Sequence, residues 1–88
     1  MHYISQMKDI AYSRDAIKTL RRMPPNTSKR IKSKIEAYAK NPASQANNIT
    51  ALQGLDGVVR LRIGDWRVIM EDGAVLAVIK IASRGSVY

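Results

Sequence analysis

The sequence has 88 residues, which is enough for a single domain, residues 1–88, with one small hydrophobic core. Its 15 lysines and arginines outnumber its 7 aspartates and glutamates, and the formal net charge of +8 favours an anionic partner: nucleic acid, an anionic membrane or an acidic protein. Because it contains no cysteine, disulfides and thiolate metal sites are excluded, and a reducing cytoplasm is the expected location.

The first part of the sequence predicts a strand followed by two amphipathic helices. Residues 7–13, MKDIAYS, alternate as a short strand does, and Ser13 is placed to cap the first helix. The proline pair at residues 24–25 ends this helix, and one of residues 26–28 caps the next, which ends at residues 41–42, Asn-Pro. The apolar faces consist of Ile17, Leu20 and Met23 in the first helix and Ile31, Ile35, Tyr38 and Ala39 in the second.

The second part of the sequence changes to a period of two and predicts an antiparallel meander. Residues 43–57 are polar and rich in turn formers, so we expect a surface loop with a short extended piece near Leu52. The runs VVRLRI, WRVIME and AVLAVIKIA follow, separated by Gly-Asp at 64–65 and Asp-Gly at 72–73, which both suit two-residue hairpin loops. The predicted fold is therefore α+β: a small antiparallel sheet of about four strands with the N-terminal helical hairpin packed on one face.

Two-residue loops at both turns would place the arginines of the meander on one face of the sheet. Arg62 then lies opposite Arg67, and Arg67 lies opposite Val78 on the next strand. The inner face, which packs on the helices, carries Val59, Leu61, Ile63, Trp66, Val68, Met70, Val75, Ala77, Ile79 and Ile81. The outer face carries Arg60, Arg62, Arg67, Ile69, Leu76, Val78 and Lys80, and Arg84 joins them if the last strand continues.

The clustered arginines indicate an anionic ligand. Like charges directly opposite each other destabilise a sheet by some fraction of a kcal/mol, and local costs of this kind often mark function. Forked guanidinium groups also match a phosphate better than lysines do. Alternatively, the arginines only solvate the outer face, with their stems covering apolar surface. The same face would expose an apolar strip of Ile69, Leu76 and Val78, to be covered by the 43–57 loop, another chain or a partner peptide.

The segment LQGLDGVVRLRIGDWRVIMEDGAVLAVIKIASRGSVY, residues 52–88, resembles the RelE family of bacterial type II toxins, within the RelE/ParE superfamily. The shared pattern is Leu-x-Gly, a basic-x-basic strand, Gly-Asp-aromatic-Arg, an acidic turn, a β-branched strand, and a terminal Arg followed by Val-Tyr. The resemblance implies a small sheet with two helices. It also implies an endoribonuclease that cuts mRNA in the ribosomal A site and is silenced by a cognate antitoxin.

The resemblance further implies a catalytic set of Arg60, Arg62, Arg67, Arg84 and Tyr88. In this set Arg60 and Arg62 contact the RNA and Arg67 holds the scissile phosphate. Without a metal, the ribose 2′-OH attacks its own phosphate, and a group must take the 2′ proton. Arginine, with a pKa above about 12, is a poor general base, so we expect the arginines to stabilise charge and Tyr88 to handle the proton or to stack on a base. Many relatives carry Gly-His-Arg where this sequence has Ala-Ser-Arg at 82–84.

The second helix carries a cationic surface that we expect to contact ribosomal RNA. Residues 28–40, SKRIKSKIEAYAK, contain five cations and one acid. The expected RNA contacts, which would give affinity without sequence specificity, are Lys29, Arg30, Lys32 and Lys34. The alternative is an ordinary solvated helix.

Three functions share the predicted fold, so the fold alone does not decide among them. The first is a metal-independent, ribosome-dependent mRNA endoribonuclease without a cofactor. The second is a ParE-like inhibitor of DNA gyrase, whose relatives generally do not need the arginine set with Tyr88. The third is an inactive module that acts only with its antitoxin. In each case we expect an acidic antitoxin that wraps the toxin as a hetero-oligomer.

The sequence gives no indication of a membrane partner. No apolar run approaches the roughly 18 residues that a membrane-spanning helix needs. The N-terminal residues do not combine a basic start with a long apolar block, so we expect no signal peptide.

Overall fold

The computed structural model describes residues 8–84 and has the α+β fold that the sequence predicts. The helices are α1 (Arg14–Arg22), α2 (Pro25–Lys40) and a 3-10 helix (Pro42–Asn48). The strands are β1 (Ile10–Tyr12), β2 (Ile49–Ala51), β3 (Val58–Ile63), β4 (Trp66–Asp72) and β5 (Leu76–Ser83). Neither α1 nor α2 combines the length and the apolar character that crossing a bilayer requires.

All five strands form one sheet in the order β1-β5-β4-β3-β2. β3, β4 and β5 form the predicted antiparallel meander, whereas β1 runs parallel to β5 at one edge. The helical hairpin covers one face of the sheet, and the core between the two layers includes Leu20, Ile31, Ile35, Leu61, Val68, Met70, Leu76, Val78 and Ile81. The opposite face is not covered by either helix, which leaves the arginines of β3 and β4 accessible.

Ser13 links the start of α1 to the sheet. Its Oγ accepts a hydrogen bond from the Ala16 amide at 3.0 Å, which is the predicted N-cap. The same hydroxyl donates to the carbonyl of Ile79 at 2.6 Å, and the Ser13 amide donates to the carbonyl of Val78 at 2.9 Å. One residue therefore ends β1, caps α1 and fixes the helix against β5.

Two details of the helical hairpin differ from the prediction. Ile17 is exposed, and Ala16 is the buried residue of the first turn of α1. α2 begins at Pro25 rather than at a polar cap within residues 26–28, and Pro24 occupies the N-cap position without a side-chain hydrogen bond. Proline suits the first helical position because its fixed φ is helical and the amide it lacks would have no partner there.

The predicted loop at residues 43–57 contains more structure than expected. Its first part belongs to the 3-10 helix, and residues 49–51 form β2, which pairs antiparallel with β3. β2 raises the strand count from about four to five. A three-residue edge strand is stabilised by its partner rather than by its own sequence, so the alternation of side chains gives no signal for it.

The predicted register is confirmed between β3 and β4 and is wrong between β4 and β5. Ile63 faces Trp66 and Arg62 faces Arg67, as two-residue loop geometry requires. The β4–β5 connection is wider, however, because Asp72 faces Leu76, and a bulge lies where the partner of β4 changes from Lys80 to Val78. An irregular connection and a bulge have no local sequence signature comparable to Gly-Asp.

The shifted register corrects the predicted faces of β5. Leu76 and Val78, expected on the outer face, are buried in the core, whereas Val75 and Ile79, expected in the core, are exposed. Ala77 pairs with Glu71 and lies between the core residues Leu76 and Val78. Because side chains alternate along a strand, Ala77 lies on the outer face and not in the core. The expected exposed apolar strip is absent, since Ile69 is also buried.

A polar clamp at the end of β4 holds three segments together. The Asp72 carboxylate accepts hydrogen bonds from the Lys8 ammonium and, at 2.7 Å, from the Tyr38 hydroxyl. The hydrogen bond from Lys8 holds the pKa of Asp72 below its usual value, and the hydrogen bond from Tyr38 acts in the same direction. Burial, together with the hydrogen bond to Asp72, raises the pKa of Tyr38 to about 12. The segment before β1, α2 and β4 are thus joined through one carboxylate.

We expect Asp72→Asn to lower the free energy of unfolding by roughly 1–2 kcal/mol, because two donors lose a charged acceptor. The pKa of Asp72 is lower in the folded protein than in the unfolded chain, where it is about 3.9. The carboxylate therefore contributes fully to the free energy of unfolding above that pH, and this contribution is lost as the pH falls below it. Urea unfolding from neutral pH down to acid pH measures both effects.

The exposed Asp56 provides the matched control for this prediction. Asp56→Asn removes the same charge and should leave the acid limb of the stability profile unchanged. An Asp72→Asn variant whose stability falls with acid as steeply as that of the wild type would contradict the role of the clamp.

Candidate nucleic-acid interface

A polar cleft opens beside the β3–β4 turn and collects cations from both layers of the fold. Its lining consists of Arg30, Lys34, Asn48, Ile63, Gly64, Asp65, Arg62, Arg67 and Arg84. We refer to these residues as the arginine cleft. Three of the five predicted catalytic residues, Arg62, Arg67 and Arg84, meet there.

The β3–β4 turn determines where these side chains lie. Gly64 has a φ of +59°, a left-handed conformation that glycine adopts without steric cost and that two-residue hairpin loops require. The turn places Arg62 directly opposite Arg67 on the uncovered face of the sheet. The amide of Arg84 donates to the carbonyl of Asp65, which fixes the end of β5 beside the same turn.

The guanidinium group of Arg67 is held by the backbone of the turn. Its Nη1 donates to the carbonyl of Gly64 at 3.0 Å and to that of Trp66 at 3.1 Å. Both bonds use Nη1, so the Nε and Nη2 donors remain available to a ligand. A donor group fixed before the ligand arrives needs no reorganisation to bind it.

Within the part of the chain that the structure describes, the cleft arginines are not paired with carboxylates. The ion pairs within residues 8–84 join Lys8 to Asp72 and Lys80 to Asp15. Arg62 donates instead to the neutral Oδ1 of Asn48 at 3.3 Å. Asp65 is the one carboxylate that lines the cleft, and it lies beyond 4 Å from every cation of the described chain. The cleft therefore has an excess of positive charge that an anionic ligand would offset.

Two residues of the cleft come from α2. The Nη1 and Nη2 atoms of Arg30 both lie 3.6 Å from the position that a Cβ on Gly64 would take, so this side chain reaches the β3–β4 turn. Lys34 follows one helical turn later and lines the same cleft. Lys29 and Lys32, the other predicted RNA contacts of the helix, border a groove between α1 and α2. The four cations predicted to form one surface thus border two: Lys34 lines the cleft, Lys29 and Lys32 border the groove, and Arg30 borders both.

The remaining predicted site residues lie at the margin of the cleft or outside the described residues. Arg60 shares the outer face of β3 with Arg62 but does not line the cleft, and it faces Ile69 on β4 and Thr50 on β2. Tyr88 lies outside the described residues. Sequence analysis missed Asn48 and Asp65 as cleft residues, and only Asp65 had a signal, its position in the Gly-Asp turn.

Comparison with known proteins identifies the family. The family described as the ParE toxin of the type II toxin–antitoxin system parDE matches residues 10–88. RelE1 of Methanocaldococcus jannaschii is 34% identical over 76 residues, covering 82% of this chain and 84% of the relative. The chain belongs to the RelE/ParE superfamily of type II toxins. The resemblance seen in residues 52–88 thus extends over most of the chain.

Solved structures of RelE proteins share the fold of this RelE/ParE toxin. The archaeal RelE–RelB complex of Pyrococcus horikoshii matches with a TM-score of 0.74 and 22% identity, covering 92% of this chain and 99% of the other. The isolated RelE toxin of E. coli matches with a TM-score of 0.73 and 16% identity, covering 88% and 84%. At these identities the structural matches establish the α+β fold and not the chemistry of the arginine cleft.

We expect Arg62→Gln to raise the free energy of unfolding by about 0.2–0.5 kcal/mol at low salt, because it removes one of two like charges directly opposite each other. Added salt should reduce this difference, since screening weakens the repulsion in the wild type. Urea unfolding at low and high ionic strength measures the effect.

Lys18→Gln is the control for net charge, since Lys18 is exposed on α1 and lies outside the cleft. A loss of stability in Arg62→Gln, or an equal gain in Lys18→Gln, would mean that repulsion within the cleft is not the cause.

Proposed function

We propose that this toxin is an endoribonuclease that cleaves mRNA on the ribosome and thereby inhibits translation. The observation that carries the proposal is the arginine cleft, in which Arg62, Arg67 and Arg84 converge on one surface without carboxylate partners among the described residues. Forked guanidinium groups bind phosphate oxygens through paired hydrogen bonds, and a phosphodiester has the size and charge that such a cluster accommodates.

The proposed reaction is a transfer of the phosphate within the RNA strand. The ribose 2′ oxygen forms a bond to the adjacent phosphorus, and the bond from phosphorus to the 5′ oxygen of the next nucleotide breaks. The 2′-OH loses its proton to a base, and the leaving 5′ oxygen gains one from an acid. The products are a 2′,3′-cyclic phosphate and a 5′-OH end.

The cleft arginines act on the charge that develops at phosphorus in this reaction. Arg67 is fixed by two turn carbonyls and directs its free donors at the scissile phosphate. Arg62 and Arg84 neutralise the phosphorane from the two sides, and Arg60 extends the positive surface along β3. Tyr88 is the member of the proposed set that handles the proton, because a phenol can both give up and accept one, whereas an arginine stays protonated.

The partners proposed for this toxin are the ribosome with its mRNA and a cognate antitoxin. Exposed cations of α2 at Lys29 and Lys32 contact ribosomal RNA through its phosphates, which makes the association sensitive to salt. RelE proteins of two archaea form complexes with RelB, and the net charge of +8 suits an acidic antitoxin that wraps this chain as a hetero-oligomer in the cytoplasm.

Inhibition of DNA gyrase is the second candidate, because the matching family is named for ParE. The two candidates give opposite results in one experiment. Primer extension on a reporter mRNA after induction, with and without ribosomes, should reveal defined cleavage sites for a ribonuclease. Intact mRNA together with a DNA-damage response would favour gyrase, and neither effect would favour a toxin-like module that acts only with its antitoxin.

We expect Arg67→Ala to reduce mRNA cleavage about 10²–10³-fold and to abolish growth inhibition, because a fixed donor to the phosphorane is lost. Arg67→Lys should recover only part of the rate, since an ammonium group keeps the charge and loses the fork. Primer extension in a translation extract measures the rates, and circular dichroism confirms folding.

Arg14→Ala is the control, because Arg14 is an exposed arginine of α1 outside the cleft. Full toxicity of a folded Arg67→Ala variant would contradict phosphate binding at the turn.

We expect Tyr88→Phe to slow cleavage and to change its pH profile, because the variant keeps the aromatic ring and loses the ionisable hydroxyl. Cleavage rates over a pH series with the same reporter mRNA test this role. A variant that cleaves at the wild-type rate at every pH would assign Tyr88 to stacking or packing instead.

A further inference from the structure

We infer that Arg30 and Lys34 of α2 form a second phosphate subsite in the arginine cleft, so that the cleft holds two neighbouring phosphates of one RNA strand. The inference rests on the proposed ribonuclease and assigns to these two residues a role in binding the substrate strand. With this subsite, the shortest RNA that fills the cleft has at least two phosphates, the one that is cut and a neighbouring one.

The position of Arg30 is the first observation that supports the subsite. α2 lies in the helical layer, yet both terminal nitrogens of Arg30 come within 3.6 Å of the Cβ position on Gly64 in the β3–β4 turn. The same turn holds the guanidinium of Arg67 through the carbonyls of Gly64 and Trp66. A guanidinium from the helices and one from the sheet therefore lie on the same turn.

The charge of the cleft is the second observation. Among residues 8–84, five cations line it and one carboxylate, Asp65, opposes them, a formal excess of four positive charges from this part of the chain. One phosphodiester carries a single negative charge and offsets only part of this excess. A second phosphate of the same strand brings another charge to the side of the cleft that Arg30 and Lys34 form.

The cations of α2 differ in the surface that they border: Lys34 lines only the cleft, and Arg30 lies between the cleft and a second groove. Arg30 and Lys34 are one turn apart and face the same side, where like charges repel each other. Lys29 and Lys32 border the groove between α1 and α2, which also contains Glu36. Arg30 borders this groove too, whereas Lys34 lines only the cleft. Lys40, an exposed cation at the end of α2 that borders neither the groove nor the cleft, is therefore the control on the same helix.

The test measures binding to RNA that cannot be cleaved. Two 2′-O-methyl oligonucleotides are used, a dinucleotide with one phosphate and a hexanucleotide with five, each carrying a dye on an uncharged linker. Fluorescence anisotropy gives their dissociation constants over a series of salt concentrations for the wild type, Arg30→Ala, Arg30→Lys, Lys40→Ala and Arg67→Ala. Thermal unfolding establishes that each variant is folded.

We expect Arg30→Ala to weaken binding of the hexanucleotide about tenfold and to leave the dinucleotide unchanged. The slope of log K against log salt should become shallower by about 0.7 for the lost phosphate contact, a change that a structural role would not produce. Arg30→Lys should keep the wild-type slope, and Lys40→Ala should bind the hexanucleotide nearly as the wild type does. Arg67→Ala should weaken both oligonucleotides.

The other outcomes separate failure of the subsite from failure of the proposed function. Wild-type affinity and slope in Arg30→Ala, with binding lost in Arg67→Ala, would overturn the subsite and leave the phosphate site intact. An equal loss in Lys40→Ala and Arg30→Ala would also overturn it, since contacts would then be spread over the helix. A wild type that binds neither oligonucleotide, or an Arg67→Ala variant that binds both fully, would overturn the subsite and the proposed function together.

Discussion

The β3–β4 turn is the constraint on which the arginine cleft depends. Two residues, Gly64 and Asp65, close the hairpin, and this short loop brings the arginines of β3 and β4 face to face. Turn carbonyls accept hydrogen bonds from the Arg67 side chain and the Arg84 amide, and the Arg30 side chain lies against Gly64. Cations from one helix, two strands and the residue that follows β5 thus meet at one turn with a left-handed glycine.

The charges that stabilise the fold and those that form the cleft lie at opposite ends of β4. Trp66 begins the strand at the turn, and Asp72 ends it in the clamp with Lys8 and Tyr38. Seven residues of strand separate the two ends by about 20 Å, more than twice the physiological Debye length. The Asp72 carboxylate therefore does little to neutralise the arginines. Stability comes from the core and the clamp, while the cleft keeps its excess charge for a ligand.

The features that sequence predicted correctly have local causes. A hydroxyl three residues before its target amide predicted the cap at Ser13, and Gly-Asp between alternating strands predicted the register that pairs Arg62 with Arg67. The place of Arg30 depends instead on how α2 lies across the sheet. Its sequence neighbours Lys29 and Lys32 look equivalent to it, and only tertiary packing brings Arg30 to the cleft while they border the groove alone, so the sequence could not show which cations of α2 complete the cleft.

The wrong register at the β4–β5 connection shows how the last arginine reaches the cleft. Two-residue loops would place Val78 opposite Arg67 and leave Arg84 about five residues, roughly 17 Å, beyond the end of the neighbouring strand. In the structure Ala82 lies opposite Arg67, a shift of four residues to which the wider connection contributes three and the bulge one. Because a shift of four residues is even, the side chains of β5 that follow the bulge lie on the faces of the sheet that were predicted for them. The same shift places Arg84 beside Asp65. The irregularity that sequence could not predict is thus the feature that completes the site.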